Sequence, residues 1–280
     1  MSTRIPHLSF EFFPPRTPEG KDKLLQVRDR LAAWRPDYFS VTYGAGGSTR
    51  DNTYNTVLQI NADGHAVAPH LSFGADSADT IKALLQSYAD AGVSRVVALR
   101  GDLPSGMGYH KPVYANELVA FIREHFGDHF RIMVAAYPEI HPQAESFDQD
   151  IHWLKEKFAA GADCALTQYF FNADAYLYFR DRCVAAGIDQ PIVPGIMPIT
   201  NYQSLVRFSD NCGADIPRWI RKRMESYGED TASVKAFGIE VVSALCERLV
   251  EGGVDNFHFY TMNQYETTAA ILENLGLQAG

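Results

Sequence analysis

Cysteine is scarce and scattered. The 280 residues hold four, Cys164, Cys183, Cys212 and Cys246, with no Cys-x-x-Cys pair among them. That spacing supplies neither a disulfide framework nor a thiolate metal site, and it suits a reducing compartment. Long apolar runs are missing too: nothing approaches the roughly 20 residues that cross a bilayer, and residues 1–7 lack the apolar core of a secretory leader. The expectation is a soluble, cytoplasmic protein. Basic charge is in deficit, with 25 Lys and Arg against 34 Asp and Glu, a formal net charge of −9. An acidic surface repels nucleic acid and anionic lipid unless a basic patch offsets it, so neither is expected as a partner. The densest basic stretch, Arg218-Trp219-Ile220-Arg221-Lys222-Arg223, reads as one face of an amphipathic helix. His125 and His129 stand four apart, but Gly127 lies between them and no His-Glu-x-x-His pattern accompanies them, so no metal is expected.

What is present is a large apolar fraction, 46% of the residues, enough for a sizeable core, and a repeating alternation of strand-like and helix-like segments. Leu8-Ser9-Phe10-Glu11-Phe12-Phe13 reads as a strand stopped by Pro14 and Pro15, with Leu8, Phe10 and Phe12 on one face and Ser9, Glu11 and Phe13 on the other. Further strands are expected at 38–43, 66–73, 95–100, 131–137, 164–170, 191–197 and 256–261. Helical patterns follow at 18–33, 51–61, 78–91, 114–126, 147–160, 173–186, 201–211 and 264–275. Eight such alternations predict an α/β fold, a (β/α)₈ barrel of the TIM type, because parallel neighbours need a crossover helix. The patterns at 217–227 and 231–251 predict extra helices inserted before the eighth strand. No Pro/Gly/Ser linker isolates them, so residues 1–280 read as one catalytic barrel domain.

Barrel enzymes place their chemistry at the carboxyl ends of the strands. Polar residues crowd there: Glu11, then Thr42-Tyr43-Gly44-Ala45-Gly46-Gly47, Pro69-His70, Arg100-Gly101-Asp102, Tyr137-Pro138-Glu139-Ile140-His141, and Thr167-Gln168-Tyr169. An acidic side chain on the inward face of a core strand is costly unless it is paired or neutral, which marks Glu11 as a functional candidate. The glycine-rich segment lacks the ending of a P-loop; Ser48 and Asp51 give it the spacing of a helix capping box.

Together these segments resemble the methylenetetrahydrofolate reductase family, from Ser9 to Asn263. The match is carried by Ser9-Phe10-Glu11-Phe12-Phe13-Pro14-Pro15, Val41-Thr42-Tyr43-Gly44-Ala45, Pro69-His70-Leu71, Ala98-Leu99-Arg100-Gly101-Asp102, Ala136-Tyr137-Pro138-Glu139, Thr167-Gln168-Tyr169-Phe170-Phe171, Pro194-Gly195-Ile196-Met197-Pro198 and Phe257-His258-Phe259-Tyr260-Thr261-Met262-Asn263. The resemblance implies a barrel that binds FAD non-covalently and takes electrons from NADH or NADPH. It implies reduction of 5,10-methylenetetrahydrofolate to 5-methyltetrahydrofolate, feeding methionine synthesis, in a homo-oligomer. It also implies roles: Glu11 as general acid, Asp102 as a catalytic carboxylate beside flavin and pterin, and Thr42 near the reactive flavin nitrogen. Tyr43, Ala45, His70, Arg100, Gly101, Ala115, Tyr137, His141, Asp150 and Lys157 fall on FAD-contacting positions, Gln168 and Phe208 on positions that meet folate and nicotinamide. Two departures stand out: Gln264 replaces an arginine that reaches the folate tail in many bacterial members, and a second substrate glutamine falls on Ser204, with Gln203 beside it.

The chemistry gives these carboxylates distinct tasks. Opening the five-membered ring of the substrate to an iminium cation requires protonation of the departing nitrogen. Desolvation among Phe10, Phe12 and Phe13 is expected to raise the Glu11 pKa and keep an acid available near neutral pH. An ionised Asp102 would stabilise the cation. The competing readings are an aldolase-like or folate-binding barrel that moves protons without a redox cofactor, and a non-catalytic barrel acting in an assembly.

Overall fold

Strand β1 (His7–Phe12) sends its two faces into different surroundings. Phe10 and Phe12 are fully buried in the layer between sheet and helices, where the Phe10 ring lies 6.1 Å from Phe39 and 6.0 Å from Phe259. Each such ring contributes about 1.5–3 kcal/mol on burial. Ser9 and Glu11 point the other way, into the barrel.

The computed structural model describes residues 7–43, 47–73, 76–100 and 113–280, and the side chains of all of these except 47–49. After β1 the order is α1 (Pro18–Ala32), β2 (Tyr38–Val41), α2 (Gly47–Ala62), β3 (Val67–Leu71), α3 (Ala78–Asp90), β4 (Arg95–Ala98), α4 (Ala115–Phe126), β5 (Arg131–Ala136), α5 (Phe147–Ala159), β6 (Cys164–Thr167) and α6 (Ala173–Ala185). Then come β7 (Ile192–Val193), β8 (Gly195–Ile196), α7 (Tyr202–Cys212), α8 (Arg218–Tyr227), α9 (Thr231–Glu251), β9 (Asn256–Tyr260) and α10 (Glu266–Asn274). Helix starts follow local chemistry. Thr17 caps α1 by accepting from Gly20 N at 3.1 Å, and Pro18 opens it, where a missing N–H costs nothing. Helix α2 begins at Gly47, so Ser48 falls inside its first turn and not at the cap that the Ser48–Asp51 spacing suggested.

All the strand pairs are parallel, in the order β7-β6-β5-β4-β3-β2-β1-β9-β8. The single seventh strand expected from sequence is two short ones separated by Pro194. Strand β7 pairs with β6 and β8 pairs with β9, so one extended segment serves both edges and closes the ring. At this seam Gly195 N donates to Thr167 Oγ1 at 2.9 Å, and Tyr260 Oη donates to Thr167 O at 2.5 Å. A Cβ on Gly195 would sit 2.2 Å from Thr167 O; only glycine fits. Helices α8 and α9 form the insertion before the last strand, and α8 buries Ile220 and Met224 while its charges face outward.

The inside of the barrel is divided. Ala68, Val97, Met133, Cys164 and Leu166 form an apolar cluster made of strand residues alone, flanked by Tyr38, Leu99 and Val193. Strands β1 and β9 instead contribute Ser9, Glu11 and His258. Among the described residues no helix is long and apolar enough to cross a membrane, and no cluster of three or more His, Cys, Asp or Glu side chains is placed to hold a metal.

Candidate functional site

Glu11 sits where three strands converge at the carboxyl end of the barrel. Strand register sets Glu11 beside Ser40 and Tyr260, and Ser9 beside Tyr38 and His258. Glu11 Oε2 lies 3.3 Å from His258 Nε2 and 3.1 Å from His70 Nε2. On the far side of the His258 ring, Nδ1 is 2.7 Å from Ser9 Oγ. His258 is fully buried and His70 nearly so. The His70 contact is close enough for an ion pair but off the hydrogen-bond direction, so among the described residues its Nε2 has no aligned partner.

This geometry corrects the expected titration of Glu11. Burial does push the carboxyl upward, but the charge of His70 and the contacts from both imidazoles outweigh it and hold the group down to about 2. The reason is strand alternation: Phe10 and Phe12, its apolar neighbours in sequence, occupy the opposite face, and the residues that surround the carboxylate come from β3 and β9.

Beside this cluster, over the ends of β2 to β5, lies a cleft of about 550 Å³. Seven of the residues that the resemblance assigns to a cofactor line it: Tyr43, Arg100, Ala115, Tyr137, His141, Asp150 and Lys157. Lys157 Nζ donates to Ala135 O at 2.8 Å; burial, reinforced by Arg100 and opposed by Asp150, lowers its ammonium to about 8. Asp150 accepts from His141 N at 2.8 Å, and burial raises its pKa while lowering that of His141. Arg100 Nη1 donates to Gln143 Oε1 at 2.6 Å. Tyr43 Oη donates to Asp76 at 3.2 Å, and burial followed by that carboxylate pushes its phenol up to about 12. Sequence reasoning missed the outer walls, where Tyr114 and Trp153 are half-exposed. Their only sequence signal is an aromatic residue at the cap of α4 and another on the exposed face in the middle of α5.

The other assigned positions separate from this group. His70 faces Glu11 and is absent from the cleft lining. Thr42 continues the strand contact, donating its N–H to Phe12 O at 2.9 Å, and its carbonyl accepts from Thr53 Oγ1 at 2.8 Å. Ala45, Gly101 and Asp102 lie outside the described residues. Gln168 follows the end of β6, and its neighbour Tyr169 meets Ser209 at 2.9 Å between hydroxyls; this contact brings α7, and with it exposed Phe208, to the same rim. Gln203 is exposed in the first turn of α7, and Gln264 follows the turn after β9. Ser9 and His258 are functional candidates to which sequence reasoning gave no role. The available signal was a polar residue alternating with apolar ones, Ser9 before Glu11 in β1 and His258 between two phenylalanines in β9.

The cleft suits a large planar anion. Aromatic and small apolar side chains make flat walls. Arg100 and the poorly solvated Lys157 offer positive charge, and Ala115 opens α4, whose first-turn N–H groups have no partner within the helix itself. The donor set fits an anionic, planar ligand of dinucleotide size, and Arg100, Lys157 and the α4 terminus are the groups that could meet its charge.

Residues 2–276 match the family profile described as methylenetetrahydrofolate reductase. The chain is 42% identical over 276 residues to the 5,10-methylenetetrahydrofolate reductase of Escherichia coli K12, covering 98% of this chain and 92% of that protein. It is 38% identical over 284 residues to a rice protein named probable methylenetetrahydrofolate reductase (NADH), covering 96% of this chain and 48% of that one. Among solved structures, an uncharacterised Clostridium thermocellum protein described as binding two copies of 5-methyl-5,6,7,8-tetrahydrofolic acid superposes with a TM-score of 0.71 at 16% identity, over 97% of this chain and 94% of that one. At that identity the likeness speaks for the fold.

Proposed function

The chain belongs to the methylenetetrahydrofolate reductase family, and on that ground we propose that it reduces 5,10-methylenetetrahydrofolate to 5-methyltetrahydrofolate with FAD and a reduced nicotinamide, NADH or NADPH, supplying methyl groups for methionine synthesis. The observation that carries the reading is the placement of Glu11 between His70 and His258 at the mouth of the barrel, beside a cleft whose cations and flat walls suit a dinucleotide.

The chemistry that FAD supplies when bound is two-electron transfer from nicotinamide to folate. The protein's part is to hold the ligands and to move a proton. Ring opening needs a proton on the departing substrate nitrogen, and the donor in this reading is the Glu11–His258 pair. At rest Glu11 is a carboxylate facing His258 Nε2. When substrate enters, a proton taken up from solvent sits on the Glu11 carboxyl, and the tautomer with Nδ1–H directed at Ser9 Oγ leaves His258 Nε2 to accept from it. After transfer to the substrate nitrogen Glu11 is again a carboxylate that accepts from His258 Nε2–H, and the proton spent is replaced from solvent, with no net loss from the imidazole. Ser9, able to accept or donate, serves both states. His70 holds the carboxylate form until substrate enters. Asp102, two residues beyond Arg100, is proposed to stabilise the substrate cation; Gln168 and Phe208 are proposed to contact folate, with Gln203 and Gln264 nearer its tail.

The test is the absorption spectrum of the purified chain, followed by anaerobic titration with each nicotinamide and then with methylenetetrahydrofolate. The reading expects a flavin spectrum that bleaches with nicotinamide and returns with folate. A colourless protein that FAD cannot reconstitute would favour the barrel that moves protons without a redox cofactor.

A further inference from the structure

Past the end of β1 the chain is gripped from β9. Phe13 N donates to Asn263 Oδ1 at 3.1 Å, and Asn263 Nδ2 donates to Phe13 O at 2.9 Å. A single side-chain amide thus reproduces the bond pair that a facing strand residue would exchange. Two residues earlier, Glu11 O accepts from Thr261 Oγ1 at 2.7 Å and from Thr261 N at 3.3 Å. Thr261 Oγ1 in turn accepts from Asn263 N at 3.2 Å. The backbone on both sides of Phe12 is therefore held by Thr261 and Asn263.

The grip requires an unusual turn. Gln264 N closes it on Thr261 O at 2.9 Å, and both central residues, Met262 and Asn263, have positive φ, 53° and 52°. That is the hand of a type I′ turn, which glycine and asparagine adopt readily and methionine does not. Such a conformation persists only where its surroundings enforce it. Beyond Phe13 come Pro14 and Pro15, which lack an N–H and so cannot continue the ladder as donors.

Alternation along β1 sets Ser9, Glu11 and Phe13 on one face. Phe13 stays 44% exposed, an apolar group at the mouth next beyond Glu11. The Glu11 carboxylate meets His70 and His258 at 3.1 and 3.3 Å, longer than the usual ~2.7–2.9 Å of charged pairs, so a small shift of the strand end would break the contacts. The other polar groups turned toward it are Ser9 of β1, Tyr38 and Ser40 of β2 and Tyr260 of β9; Ser40 and Tyr260 flank Glu11 in the ladder, whereas Asn263 holds the backbone two residues on, at Phe13.

We propose that Asn263 is a positioning residue of the reaction: its amide locks the end of β1 so that the Glu11 carboxyl, with Phe13 over it, meets the substrate nitrogen in register with His70 and His258. The inference rests on the proton-donor reading of Glu11 given above.

Asn263→Gly tests it, since glycine keeps the turn and removes the amide. Asn263→Asp, which still accepts from Phe13 N–H but cannot donate to Phe13 O, is the second variant should the first fail to fold. In anaerobic stopped flow, flavin reduction by nicotinamide is expected at the wild-type rate in both. Flavin reoxidation by methylenetetrahydrofolate falls in Asn263→Gly by up to roughly 10²-fold, the cost of misplacing a reacting group by about 1 Å, with an unchanged Michaelis constant for folate. Asn263→Asp lies between that variant and the wild type. Hydrogen exchange at the Phe13 amide, followed without any ligand, speeds up in Asn263→Gly. Unchanged exchange, equal slowing of both half-reactions, or a wild-type reoxidation rate would each overturn the positioning role. A wild-type chain whose flavin is not reoxidised by folate would instead overturn the proposed reaction, while the exchange result would still report on the clamp.

Discussion

Ser9 Oγ lies 2.7 Å from His258 Nδ1, and the opposite nitrogen of that ring faces the Glu11 carboxylate at 3.3 Å. Residues from the first and last strands of the barrel thus share one line of proton-carrying groups. Ser9→Ala removes the group that turns the imidazole to either tautomer. Folate-dependent flavin reoxidation is expected to slow about tenfold, the equivalent of one net hydrogen bond of about 1.4 kcal/mol, with reduction by nicotinamide unaffected. Stopped-flow comparison of the two half-reactions checks this; equal slowing would place Ser9 in the scaffold alone.

Lys157 sets a pH dependence for cofactor binding. Its free-state ammonium is lowered from 10.5 to about 8, by burial first and by Arg100 next. An anionic ligand favours the charged form and so raises this pKa on binding. Affinity for FAD is therefore expected to be flat below about 8 and to weaken as pH rises through that value, until the pKa of the bound state is reached. Flavin fluorescence titrations across this range measure it. Lys157→Met should bind more weakly and lose the slope, whereas an unchanged slope would assign it to another group.

Gly195→Ala should cost about 3 kcal/mol or more in urea unfolding, at or beyond the upper end of ordinary overpacking. The added Cβ would meet Thr167 O at 2.2 Å and the Tyr260 ring at 2.6 Å, both at the seam that closes the barrel. Gly20→Ala in α1, where the nearest atom is Pro15 Cβ at 3.3 Å, is the control; helix propensity favours alanine there by about 0.5–1 kcal/mol. Comparable destabilisation in both variants would contradict the seam.

Gln264→Arg should lower the Michaelis constant for folate, because a bidentate guanidinium–carboxylate pair is stronger than a neutral amide contact. Steady-state kinetics with folate carrying its glutamate tail measure it. No change would place the tail at another cation, such as Arg207, whose guanidinium stands 5.6 Å from the Phe208 ring on the rim.

Much of the fold was legible because the strands are short apolar runs bounded by breakers and the helices carry one apolar stripe each. The split of the seventh strand at Pro194 was not, since it depends on which edge each half pairs with, and Gly195, read as part of that single strand, shows no reason to be glycine until Thr167 lies against it. Glu11 was recognisable as an inward carboxylate. Its titration was misjudged because the chain shows Phe10 and Phe12 beside it, while the groups that govern it arrive from His70 and His258. The Ser9–His258 contact spans 249 residues, beyond the reach of any local pattern. The cleft residues His141, Asp150 and Lys157 came from the family resemblance; spacing alone does not bring a loop and two turns of α5 to Arg100.

The central claim is that Glu11 delivers the proton that opens the folate ring, and Glu11→Gln tests it most directly. Glutamine has nearly the same shape, so strand β1 should form and FAD should bind. Anaerobic stopped flow then follows flavin bleaching by NADH and its recovery with methylenetetrahydrofolate. The account expects bleaching close to the wild-type rate and recovery slowed by roughly 10²–10⁴-fold, the usual contribution of a general acid. Recovery at the wild-type rate would contradict it.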